Sequence, residues 1–147
     1  MQPGYGPFPQ APLCLALVLA RSVSYSVELG AWSIVSPYLS LTVEAFPVEF
    51  VALEAYVVLT ACDGQVLVEL RLVDVDEARP PVFRQLISAT FNGPLDVQEI
   101  VFHHHKVRIP VEGDYRLMLT VYRPNFTHPE FVIERRIPIQ QFEEDEP

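Results

Sequence analysis

The stretch "IPVEGDYRLMLTVY", residues 109–122, decides the fold. Pro110 ends one extended run, because a residue without an N–H cannot serve a ladder, and Glu112-Gly113 then turns the chain. Beyond the turn, Tyr115, Leu117, Leu119 and Val121 alternate with Asp114, Arg116, Met118 and Thr120. A period of two sends the apolar row to a core and the other row outward, so this is a strand with one buried face.

The position of the tyrosine adds architecture. A tyrosine two residues past a turning glycine resembles the tyrosine corner of immunoglobulin-like sandwiches, whose ring packs inside while its hydroxyl bonds back to the turn. The corner is a folding device and implies no reaction. Working outward, the same period recurs. Val66, Val68, Leu70 and Leu72 share one face with Glu69 and Arg71 opposite; Phe83, Ile87, Ala89 and Phe91 share another with Arg84, Ser88 and Thr90 opposite. "CDGQ", with Asp63-Gly64, reads as a tight hairpin between two such runs. Strands are expected near 13–20, 27–35, 54–61, 65–73, 82–91, 98–109, 114–122 and 131–139. In "PVEFVALEAYVVL" a short helical turn over Val48 to Leu53 precedes the strand. The expected fold is all-β: a two-layer antiparallel β-sandwich, Ig-like, of about eight strands.

Composition sets the limits. The 147 residues, 50% of them apolar, suit one domain with its own core. Residues 1–12, with four prolines and two glycines, read as a flexible arm, 13–142 as the sandwich, and 143–147, opening on "EEDE", as a solvated acidic tail. Ten basic residues against nineteen acidic ones give a net charge of -9, which repels phosphate backbones and argues against nucleic acid as a partner. Cys14 and Cys62 form neither a disulfide framework nor a metal finger, so both are expected to be reduced and partly buried. The apolar run Leu13 to Ala20 is too short to span a bilayer, and no basic residue precedes it as in a signal peptide. No membrane partner and a cytoplasmic location in a prokaryote are therefore expected, with the sequon at Asn125 carrying no sugar.

The chain also resembles a family of uncharacterised bacterial domains of unknown function. The resemblance runs from "LCLALVLA" through "ELGAWSIV", Phe46-Pro47, "EAYVVLTA" and "VLVELRLVDVDE" to the corner "PVEGDYRLMLTV", covering roughly residues 13 to 140. It implies a small β-sandwich with no assigned activity and no catalytic residues to carry over. The chain departs from the pattern at "RSVSYSVELG", which lacks a Gly-Lys-rich hairpin between the first two strands, and at the three imidazoles of "FHHHK", residues 102–106.

Those imidazoles are the chief chemical feature. On a strand, alternation places Val101, His103, His105, Val107 and Ile109 on one face and Phe102, His104, Lys106 and Arg108 on the other. His103 and His105, with Cα atoms about 7 Å apart, make a half-site for zinc, with His128, Glu99 or Glu112 as the further ligand. The alternatives are a solvated strand edge and a pH-responsive cluster. "DVDE", 74–77, reads as a hairpin end, since the glycine and distal glutamate of a calcium loop are missing. Arg135 and Arg136 point to opposite faces and blunt an exposed edge, or bind a carboxylate. Trp32, Tyr38, Phe46 and Phe50 fall in one apolar span and are the candidate interface residues.

No nucleophile elbow, phosphate loop or dinucleotide fingerprint occurs. The leading expectation is a non-catalytic protein-binding or assembly module, not an enzyme, with no cofactor, that contacts a protein partner or associates with itself. A metal-binding protein or small metal-dependent hydrolase using His103 and His105 is the second reading. A structural subunit of a phage or secretion particle is the third.

Overall fold

The structure, a computed structural model, describes residues 12–76, 78–123 and 131–142. The proline-rich arm up to residue 11, Glu77, the loop holding Asn125 and His128, and the acidic tail lie outside the described residues.

The strands are β1 (Leu13–Ser26), β2 (Ala31–Tyr38), β3 (Leu41–Val43), β4 (Val48–Thr60), β5 (Gly64–Asp74), β6 (Phe83–Phe91), β7 (Gln98–Ile109), β8 (Gly113–Tyr122) and β9 (Phe131–Gln141). They form two sheets, ordered β2-β1-β4-β7 and β3-β9-β8-β5-β6. All pairs are antiparallel except β3 on β9, which is parallel. The expected all-β sandwich is what forms. In immunoglobulin lettering β9, β8 and β5 stand as G, F and C, and β4 and β7 as B and E.

The core lies between the sheets. Leu17, Leu53, Val57, Leu59 and Phe102 of one sheet meet Val68, Leu70, Leu72, Leu117 and Leu119 of the other. Each such side chain contributes about 1.5–3 kcal/mol when fully buried, which makes this double row the main source of stability. The corner also forms: Tyr115, 1% exposed, donates its hydroxyl to the Val111 carbonyl at 2.7 Å. It fastens the crossing from β7 in one sheet to β8 in the other.

Among the described residues nine strands form where about eight were expected, the three-residue β3 being the addition. Three expectations need correction. Val48 to Leu53 is not a helical turn but the start of β4, which pairs with β7 from Val48↔Ile109 onward. "CDGQ" is not a hairpin within one sheet: β4 and β5 belong to different sheets, and Ala61 (φ 60°) and Gly64 (φ 74°) turn the chain across the sandwich. Finally, strict alternation fails along β7. Lys106 takes a left-handed φ of 54°, so Val107 and Ile109 are buried like Phe102 rather than facing outward with His103.

The first two strands pair directly. β1 runs on to Ser26, a turn over Val27–Gly30 follows, and β2 begins only at Ala31. Gly30 supplies a φ of 62° in that turn, a conformation glycine adopts without steric cost.

Candidate functional site

Two of the three imidazoles stand on the outer face of the four-stranded sheet. His103 lies opposite Glu54 on β4, and His105 opposite Ala52. Glu54 binds on both sides: Oε1 accepts the Val23 N–H of β1 at 2.7 Å, and Oε2 meets His103 Nδ1 of β7. A carboxylate only accepts, so His103 Nδ1 is the donor of this pair. One carboxylate thus joins three neighbouring strands.

Four residues earlier along β7 and two residues further along β4, the same face carries a second pair. Tyr56 donates its hydroxyl to Glu99 Oε2, and partial burial together with that carboxylate pushes the phenol up to about 12. Glu99 is therefore engaged by Tyr56. Glu112 is engaged by the Gln141 N–H at 2.9 Å. His104 turns to the other side and stacks on Phe83 of β6, ring centroids 4.1 Å apart. Burial, reinforced by the flanking His105 and His103, lowers the His104 pKa, and its Nε2 has no hydrogen-bond partner among the described residues. Among the described residues no group of three or more histidine, cysteine or carboxylate side chains is gathered to hold a metal ion.

An imidazole oriented by a carboxylate is the arrangement of a general base, but it acts only beside a nucleophile or a held substrate. The larger clefts lie elsewhere. One of about 600 Å³ opens between β1 and β9 and is lined by Leu19, Tyr38, Ile133, Arg135 and Ile137. Another of about 510 Å³ is lined by Thr42, Glu112, Asp114, Arg136 and Gln140.

The four aromatic candidates separate. Tyr38, Phe46 and Phe50 are half-buried against the core. Trp32 instead meets Tyr25 edge-on, with centroids 5.3 Å apart and planes at 64°. That contact belongs to a projecting hairpin. The β1–β4 ladder stops at Ala20↔Glu54, whereas β1–β2 pairing continues to Ser26↔Ala31. Beyond Ala20, β1 therefore has no strand partner but β2 among the described residues. The cross-strand pairs Val23↔Ile34 and Tyr25↔Trp32 make one face apolar, while Ser24↔Ser33 and Ser22↔Val35 make the other small. At its tip Val27 is 86% and Leu29 76% exposed, and Tyr25 and Val35 are exposed on its flanks. Composition pointed to Trp32; its partner Tyr25 was missed because the first strand was expected to end near residue 20, and the tip because the second strand was expected to begin near residue 27.

The outer face of the five-stranded sheet holds an arrangement that alternation alone assigned to solvent. Glu69 is only 4% exposed. Arg84 Nε donates to its Oε2 at 2.5 Å, the Tyr122 hydroxyl to its Oε1 at 3.3 Å, and Arg71 Nε lies 3.3 Å from Oε1. Burial, aided by Glu69, raises the Tyr122 pKa. Further pairs, Arg116–Glu134 at 2.6 Å and Arg136–Asp114 at 2.8 Å, continue the ladder. Arg135 lies on the opposite face from Arg136 and lines the cleft beside β1. Cys62 is buried and Cys14 half-buried, with burial raising the Cys14 pKa. No helix among the described residues is long and apolar enough to cross a membrane.

No protein-family model matches the chain, and no curated protein matches it.

Proposed function

We propose that the chain is a non-catalytic protein-binding or assembly module whose contact element is the β1–β2 hairpin. One observation carries the reading. The hairpin loses its ladder to β4 after Ala20, is tied to it through Glu54 as far as Val23, and beyond that presents Tyr25, Val27, Leu29 and Val35 to solvent. Apolar side chains grouped on a projecting element are the usual mark of a surface that another chain covers. The zinc reading of His103 and His105 gains Glu54 as a neighbour but has no further ligand in reach among the described residues. The hairpin is therefore the better-supported site.

A photo-reactive residue at Val27 tests the proposal in the native host. Adducts are expected from Val27 and not from Leu95, which is equally open but lies in the β6–β7 connection. Equal labelling from both positions, or none from Val27, refutes it.

A further inference from the structure

Among the described residues, the strands that end the two sheet orders are protected very unequally. β3 has only three residues, and residues this short offer little template. β7 is broken by the left-handed Lys106 and carries three imidazoles and Arg108. β6 has Arg84, and the Gln98 side chain donates to its Thr90 carbonyl at 2.5 Å. β2 differs. Its sequence "AWSIVSPY" has no charged residue, and its irregular features, Ser36 at φ 54° and Pro37, are confined to one end. Ala31–Val35 is thus a regular, uncharged edge at the rim of a four-stranded sheet.

Resting on the binding role proposed above, we infer that the partner of this edge is a second copy of the same chain, paired β2 to β2 in antiparallel fashion about a two-fold axis at Ser33. The pattern of five residues is self-complementary about that point. Trp32 meets Ile34 of the other copy on both sides of the axis, Ala31 meets Val35, and serine meets serine. The apolar face of each hairpin, Tyr25–Trp32 and Val23–Ile34, then runs without a break into its counterpart. Two four-stranded sheets become one of eight strands. The same operation on β7 would set its basic residues and imidazoles near their own copies, which disfavours that edge.

Charge supplies a further signature. Each copy carries -9, so the join forms against net repulsion and strengthens as salt screens it, the reverse of an interface held by ion pairs.

Sedimentation equilibrium of the full chain over a concentration series tests the inference. A monomer–dimer equilibrium is expected, tightening with added salt. Ser33→Lys, at an exposed position, sets like charges at the axis and is expected to weaken the dimer about tenfold or more. Mixing Ser33→Lys with Ser33→Glu restores association, while Leu95→Lys, a charge placed away from the edge, leaves it unchanged. Circular dichroism confirms that each variant is folded. A monomeric parent at every concentration overturns the inference, as does a dimer indifferent to Ser33→Lys. Foreign adducts from Val27 alongside a monomeric parent overturn self-pairing while leaving the binding role standing.

Discussion

Removing the carboxylate of Glu69 should destabilise the sandwich by roughly 2 kcal/mol, a figure that follows from who surrounds it. Glu69 receives hydrogen bonds from Arg84 and Tyr122 and lies beside Arg71. Two bonds to a charged acceptor are together worth about 3–6 kcal/mol when the donors stay dry. They do not stay dry here. The Arg84 side chain is 57% exposed and that of Arg71 26%, so after Glu69→Ala water rehydrates both guanidinium groups and recovers more than half of the loss. Glu69→Gln keeps an acceptor but no charge and should lose about half as much. Urea unfolding reads the change as a lower midpoint at constant m-value, and thermal unfolding as a fall of roughly 4–8 °C for Glu69→Ala. An alanine variant within about 0.5 kcal/mol of the parent would refute the reasoning. The burial of Glu69 would then reflect crowding by its neighbours and not a stabilising cluster.

Two further outcomes follow from the packing. Tyr115→Phe keeps the ring but strands the Val111 carbonyl, and should cost about 1 kcal/mol, measured as a melting point lower by roughly 2–4 °C. His104 has its pKa lowered by burial, so the unfolded chain takes the proton first and stability falls as the pH drops below about 6.5; melts between about pH 7 and pH 5 should show the slope, and His104→Phe should remove its His104 component.

Much of this architecture is legible in single residues. The alternation from Tyr115 to Val121 and from Val66 to Leu72 needs only period two, because both strands are central and bury one whole face. The failures occur where that condition lapses. The first half of β4, with exposed Glu49 and Val51 and half-buried Phe50, pairs only with β7, and its weak alternation resembles a helical turn. The φ of Lys106 has no local signal, since lysine gives no hint of a left-handed conformation. β3 is too short to show a period at all. Long-range partners are hidden for a different reason. Glu54 and His103 become neighbours only once β4 and β7 are known to adjoin, and Glu69 becomes buried only once Arg84 and Tyr122 arrive from the strands on either side. Placing His103 and His105 on one outer face needed only alternation over a short run that ends before Lys106.

The parallel seam of β3 on β9 bears on the order of folding. Leu41 pairs with Ile139, and the Phe142 N–H reaches the Val43 carbonyl at 2.6 Å. β3 must therefore wait for a segment about a hundred residues further along the chain, so this rim of its sheet closes later than the ladder between β1 and β4 can form. Truncation just before Ile137 should leave Leu41 unclasped while sparing the ladder between β1 and β4, which separates late closure from early pairing.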